Sequence, residues 1–253
     1  MAITITFFIL GLLIGSFLNV CIHRLPAKES IVFPRSYCPS CKNQIPAYDN
    51  IPIISFLLLR GRCRSCKASI SWRYPAVELL NGIGYFSILH CFGPTPATLI
   101  YAIFFSSLVV ITFIDLAHQI IPDVITLPGI PLSFLAASTV LTTGWLNSLE
   151  GMLLGGGLFY LIAWLSILLL KKEGMGGGDI KLVAMIGALL GWQEVLLAIF
   201  AASISGSVVG LLLIGTRLKS RSDPIPFGPF LVVGALIALF FGNDILGWYF
   251  HRT

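Results

Sequence analysis

Long apolar runs separated by short polar breaks dominate the chain. The first covers roughly Ile3 to Ile22, and seven more follow near 75–92, 96–115, 123–142, 148–170, 179–192, 194–215 and 228–249. A bilayer-crossing helix needs about 20 apolar residues. The pattern therefore predicts eight such helices, of which the sixth, 179–192, is short. The breaks carry helix-stopping residues: Gly93-Pro94, Gly144, Asn147, 174–178 and 220–226. One stretch differs in kind. Arg24 to about Tyr74 holds nine Lys and Arg residues, against Glu29 and Asp49, and four of the six cysteines. It reads as the aqueous segment. No repeat of 20–50 residues and no low-complexity tract is present.

Composition sharpens this picture. Of 253 residues, 57% are apolar and 11% charged, whereas a typical soluble domain is about 25% charged. That excludes both an ordinary soluble globule and a disordered chain. The expected fold is an all-α polytopic membrane protein with about eight transmembrane helices and a small zinc-binding cytosolic domain between the first and second. The expected domains are 1–23, the first span; 24–74, the cysteine-bearing domain; and 75–253, a seven-helix membrane domain. A net charge of +5 gives no case for nucleic acid.

The distribution of charge predicts orientation. No Lys or Arg precedes the first apolar run, and Arg24 follows it. A secretory signal peptide has the reverse order, so this segment reads as a retained helix with its N-terminus outside. The inside segments are then 24–74, 115–123, 171–179 and 216–227. With their edges they hold 15 of the 16 Lys and Arg residues, including Lys171, Lys172, Lys181, Arg217, Lys219 and Arg221; Arg252 is the exception. The positive-inside rule asks for this asymmetry.

Cys38-x2-Cys41 and Cys63-x2-Cys66 are two CxxC pairs, separated by the stretch 42–62. This is the spacing of a tetrahedral four-thiolate zinc site. A segment of about 50 residues has too little core to fold alone, so a structural metal has a physical purpose. The alternatives are disulfides or free thiols, and disulfides are rare on the reducing cytosolic side. A closed four-thiolate site has no open coordination position and is expected to be structural. Cys21 and Cys91 sit at span ends and read as apolar fillers.

Ionisable residues inside spans are costly and usually functional. Asp115 ends the run from Val109 to Ile114, and Asp179 follows Gly176-Gly177-Gly178. Both fall at the cytosolic ends of their helices, at the same depth although far apart in sequence. Two carboxylates meeting in a low-dielectric site share one proton. The ionised one can take a proton from water while the protonated one polarises a scissile carbonyl. The glycines allow close backbone approach and positive φ, so an extended substrate could lie beside them. The competing reading makes both Asp residues helix caps or interface residues. Asp123 reads as the cap of the fourth span. Glu78 either pairs with a basic residue or binds a ligand. Lys181 either snorkels or sets the field near Asp179. His118 reads as a solvated loop residue. Gly176, Gly178, Lys181 and Glu78 are thus the weaker candidates for substrate or cofactor binding.

The chain resembles the bacterial type IV prepilin peptidases, also called leader peptidase/N-methyltransferases, within the GxGD-type membrane aspartic proteases. The resemblance rests on Gly15-Ser16-Phe17-Leu18-Asn19-Val20 with Arg24 and Pro26, and on both CxxC pairs. It extends through Asn50-Ile51-Pro52, the run Leu59 to Cys63, and Arg73-Tyr74-Pro75 with Glu78. It closes with Asp115 and Ile121-Pro122-Asp123, Gly176-x-Gly178-Asp179-x-Lys181, and Pro226-Phe227-Gly228-Pro229. GxGD alone is shared with presenilin-like and archaeal preflagellin proteases; the cysteine pairs and the N-terminal signature are what separate this chain from those. The resemblance implies cleavage of the basic leader of type IV prepilins and pseudopilins, with Asp115 and Asp179 as catalytic aspartates. It also implies N-methylation of the new N-terminal residue by S-adenosylmethionine, to which no residue is assigned. Substrates and lipid bilayer are the expected partners, and the bacterial inner membrane the expected location. Two rival readings are a transporter or channel with intramembrane carboxylates and a membrane-anchored zinc adaptor.

Overall fold

A computed structural model describes residues 2–171, 174–220 and 225–250. Among the basic residues used for orientation, Lys172, Arg221 and Arg252 lie outside these. The described residues are helical, with no strand and two isolated antiparallel bridges. The chain divides into two units, 1–114 and 115–253.

The first unit contains α1 (Ala2–Arg24), α2 (Ile54–Leu58), α3 (Arg73–Phe92) and most of α4 (Pro96–His118). Helices α1 and α3 pack closely because α1 carries Gly11 and Gly15 one turn apart. A Cβ at Gly15 would sit 2.7 Å from the Glu78 Cα, and one at Gly11 would sit 2.9 Å from the Asn81 carbonyl oxygen. Small residues spaced four apart are the usual device for close helix contact in a bilayer. A buried polar chain ties in α4. Asn81 Nδ2 donates to the Gly11 carbonyl (2.8 Å), Ser106 Oγ donates to Asn81 Oδ1 (3.0 Å), and the Tyr85 and Ser106 hydroxyls lie 3.2 Å apart.

The second unit contains α5 (Asp123–Thr139), α6 (Trp145–Leu170), α7 (Gly177–Leu190), α8 (Trp192–Gly215) and α9 (Gly228–Phe250). Helix α7 has 14 residues, or about 21 Å of length, short of the ~30 Å hydrocarbon core. Its surroundings explain how so short a helix is accommodated. Every residue from 182 to 190 is buried, against α5, α6, α8 and α9. Gly187 and Gly151 let α6 and α7 touch: a Cβ on Gly187 would collide with the Gly151 carbonyl. The last carbonyls of α7 are capped from outside, Ala188 by Ser148 Oγ (2.5 Å) and Leu189 by Thr143 Oγ1 (3.2 Å).

With the short α2 and a single 3-10 turn set aside, the described helices occupy the eight expected regions. Five of them, α1, α4, α6, α8 and α9, are long and apolar enough to cross a membrane. Large apolar side chains such as Leu153, Trp164 and Leu168 on α6 and Phe200 and Leu211 on α8 stand exposed, the signature of a surface that meets lipid.

Gly187→Val should destabilise the second unit by about 1–3 kcal/mol or more, the usual cost of overpacking. Gly157→Val on α6, where a Cβ meets nothing within 4 Å, should be tolerated. Thermal unfolding of the two variants in detergent checks this.

Candidate active site and candidate metal centre

Asp115 lies in the last turn of α4 and is 5% exposed. Its Oδ2 accepts the N–H of Gly228, the first residue of α9, at 3.0 Å. The first N–H groups of a helix have no partner within the helix, so α9 offers a ready donor. A Cβ on Gly228 would stand 2.5 Å from Asp115 Oδ2, so any larger residue there has to push that carboxylate aside. This gives the Pro226-Phe227-Gly228-Pro229 run a physical purpose that its sequence alone does not disclose.

Asp179 is the third residue of α7, and its N–H donates to the Gly176 carbonyl at 3.1 Å. The glycines before it have unequal constraints. A Cβ on Gly178 would lie 2.8 Å from the Ile121 Cβ, and one on Gly176 would lie 3.1 Å from Asp179 Oδ2, while Gly177 borders open space. Close approach is thus the constraint on Gly176 and Gly178. The expected use of positive φ does not occur there: Gly176 has φ −70°, and the positive-φ glycines are Gly61, Gly93, Gly144 and Gly191.

Asp115 and Asp179 line one cavity of about 450 Å³, together with Gln119, residues 174–176 and residues 225–227. The sequence reading missed Gln119 and Met175, which carry no charge to mark them.

Three neighbouring residues differ from expectation. Asp123 is the first residue of α5 but makes no capping bond; Pro122 holds the cap position. Its carboxylate instead pairs with Lys181 Nζ at 2.6 Å, which is also where Lys181 goes. His118 is the exposed last residue of α4 rather than a loop residue.

In the first unit the two CxxC pairs form matching knuckles. The second repeats the first position for position: Arg62 answers Tyr37, Cys63 answers Cys38, Lys67 answers Lys42 and Ser69 answers Gln44. In each, a bridge closes the turn, the first cysteine carbonyl accepts from the lysine N–H, and that lysine has φ +60°. The four sulfurs lie within 4.8 Å of one another, and Cys38 and Cys66 are 3.8 Å apart. A tetrahedral ion about 2.3 Å from each sulfur requires sulfur separations of about 3.8 Å. The donor set fits a metal ion.

Glu78 is 8% exposed, and its Oε2 accepts the Ile53 N–H at 2.8 Å. Among the described residues it forms no ion pair. Cys21 is buried, as a filler would be, whereas Cys91 is exposed.

The end of α4 and the start of a short buried helix thus bring two carboxylates to one cavity in an apolar bundle. The profile of the Type IV leader peptidase family matches residues 102–211, and that of the Bacterial Peptidase A24 N-terminal domain matches residues 9–92. A relative from Aeromonas hydrophila, named prepilin leader peptidase/N-methyltransferase, is 39% identical over 96% of this chain and 92% of its own length. Relatives of the same name from Stutzerimonas stutzeri and Pseudomonas aeruginosa are 39% and 37% identical, each over 95% of this chain and 91% of theirs. No solved structure matches significantly. The chain belongs to the type IV leader peptidase family.

Purified protein should carry about one metal ion per chain, because the four sulfurs make one tetrahedral site. Cys38→Ser should lose it. Elemental analysis of both proteins checks this.

Proposed function

We propose that this chain is an endopeptidase that removes the basic leader from type IV prepilins and pseudopilins, and that it then N-methylates the new N-terminal residue. The observation that carries the peptidase half is the placement of Asp115 and Asp179 on one cavity, in a chain of this family. The methyltransferase half rests on the family and on the names of the relatives.

In this reading the ionised member of the pair takes a proton from water, and the protonated member polarises the scissile carbonyl. Gly228 orients Asp115 through its N–H. Gly176 and Gly178 keep the chain bare where the substrate backbone arrives. The basic leader lies on the cytosolic side, and the cut falls where it meets the substrate's own membrane helix.

The same reading takes α1, α3, α4, α5, α6, α7, α8 and α9 as eight membrane-embedded helices, with the N-terminus outside and both aspartates near the cytosolic face of the inner membrane. The domains are 1–23, 24–74 and 75–253. The metal at Cys38, Cys41, Cys63 and Cys66 is zinc with a structural role, since four protein thiolates leave no open position for water. S-adenosylmethionine is the methyl donor. Transport is not favoured, because the matching relatives are named as peptidases.

A detergent-purified enzyme should shorten a prepilin by its leader, and add a methyl group only when S-adenosylmethionine is present, as read by mass spectrometry. Asp115→Asn and Asp179→Asn should each lower cleavage by about 100-fold or more, since an amide cannot cycle the proton. Gly228→Ala should also cut the rate, because its Cβ displaces the Asp115 carboxylate. Full cleavage by either Asn variant would remove the dyad.

A further inference from the structure

Helix α2 is turned inside out. Its polar residue, Ser55, is 6% exposed; the Ser55 hydroxyl donates to the Tyr48 carbonyl at 2.9 Å and accepts the Ile51 N–H at 3.2 Å. Its apolar residues stand outward. Ile54, Leu57 and Leu58 are 54%, 62% and 78% exposed, and their i, i+3, i+4 spacing puts them on one face. Trp72, 74% exposed, holds its ring 4.8 Å from that of Phe56 and adds a further apolar surface beside α2. An exposed apolar cluster of this kind marks a surface that is covered in use.

Contacts among α1, α3 and the start of α2 fix the depth of this face. Helix α1 is long and apolar enough to cross a membrane, and it ends on His23 and Arg24. Helix α3 begins alongside its last turns: Asn19 Nδ2 donates to the Tyr74 carbonyl at 3.1 Å, and Gly15 lies against Glu78. Ile53, the residue before α2, donates its N–H to Glu78 Oε2 at 2.8 Å. Gly15 is about 13 Å along α1 from Arg24. The Glu78 side chain and its hydrogen bond together span less than that, so α2 starts within the length of α1 and not beyond it. Trp72 stands just before Tyr74, near the end of α1, where tryptophan commonly marks the edge of a bilayer. The charge beside the face has one sign. Arg60 and Arg62 follow α2, are exposed, and form no ion pair among the described residues. The acids between residues 25 and 72 are Glu29 and Asp49, and Asp49 is taken by Arg64.

An apolar face at the depth of a span, with unpaired arginines beside it, fits a bilayer surface that bears anionic headgroups. We propose that α2 and Trp72 form an interfacial membrane anchor. Ile54, Leu57, Leu58 and the Trp72 ring enter the apolar edge of the bilayer, and Arg60 and Arg62 meet anionic lipid headgroups. Interfacial helices bury such a face ~5–10 Å deep, and each basic residue near an anionic surface strengthens the attachment. The segment between α1 and α3 is thereby tied to the membrane in its middle as well as at its ends. A prepilin is the competing occupant of this face, and it fits less well because the same arginines repel a basic leader. The inference needs only that α1 crosses the bilayer, and it is independent of the reaction at the dyad.

The test uses the full-length protein in lipid nanodiscs of equal phosphatidylglycerol and phosphatidylcholine. An environment-sensitive fluorescent amino acid is placed at position 57, and at position 58 in a second preparation; both positions are exposed, so neither exchange disturbs packing. Lipids brominated on the upper acyl chain should quench the label, and aqueous iodide should not. Brominated phosphatidylglycerol should quench about twofold or more strongly than brominated phosphatidylcholine, because basic residues gather anionic lipid. Arg60→Gln together with Arg62→Gln should remove that difference. Quenching by iodide with no effect of brominated lipid overturns the proposal. Shielding from iodide that appears only when prepilin is added would make the face a substrate-docking surface and overturn it too. Equal quenching by the two lipids in the wild-type background overturns the role given to the arginines. None of these readouts depends on cleavage, so their failure leaves the peptidase reading standing.

Discussion

Contact between Gly187 of α7 and Gly151 of α6 is the constraint on which the second unit depends. With a side chain at either position α7 could not lie against α6. Ser148 and Thr143 then take up its last carbonyls, and Asn147 Oδ1 accepts the Trp192 N–H at 3.3 Å where α8 begins. A helix fixed at its C-terminus, and buried along its body, has a fixed N-terminus. Asp179 stands on that N-terminus, so its position is set by packing at the far end of the helix. Sites carried on rigid elements hold geometry more closely than sites on loops. Asp115, at the end of another helix, meets the same standard.

Residues 25–72 of the first unit have a different basis for their organisation. Residues 25–72 contain one short helix and a single 3-10 turn, so little apolar surface is available to hold them. Both knuckles place a lysine at φ +60°, a conformation that non-glycine residues rarely adopt. Four sulfurs crowded within 4.8 Å would repel one another as thiolates. A divalent cation there would reverse that repulsion and offset the backbone strain, which is how folding and metal binding become one event in such segments.

Much of this was legible in the sequence, and what was not has a common cause. Apolar run length shows where the helices are. The cysteine spacing foretold the cluster of four sulfurs, because ligand geometry imposes a fixed local pattern. Asp115 and Asp179 could be proposed as a pair from matched position at helix ends. Partners contributed by distant segments left no such trace. The Gly228 N–H that orients Asp115 is a backbone group and looks the same in any sequence. Asp123 resembled a cap because Asp commonly caps helices, and nothing local foretold Lys181 as its partner. The glycines before Asp179 suggested both close approach and positive φ; the first is realised, with Ile121 pressing on Gly178, and the second is not. That α7 is enclosed on all sides is something only the assembled bundle displays.

Four carboxylates divide into two pairs by how they are held. Asp49 gives both oxygens to Arg64, whose hydrogen bonds hold its carboxyl below the usual range. Asp123 is joined to Lys181. These are closed pairs with a structural use. Asp115 and Glu78 have no cation among the described residues. Each is fixed instead by a backbone N–H, from Gly228 and Ile53 respectively. Each donor has an unusual residue behind it. Gly228 has no side chain to push the carboxylate aside, and Ile53 has φ +61° and ψ −50°, a genuine outlier for a β-branched residue. Strain of this kind persists where the surroundings over-determine it, and it clusters at functional sites. A neutral donor orients a carboxylate without cancelling its charge, so the group keeps its capacity to take a proton or meet a cation. A salt bridge would have anchored either residue more firmly and left it chemically spent.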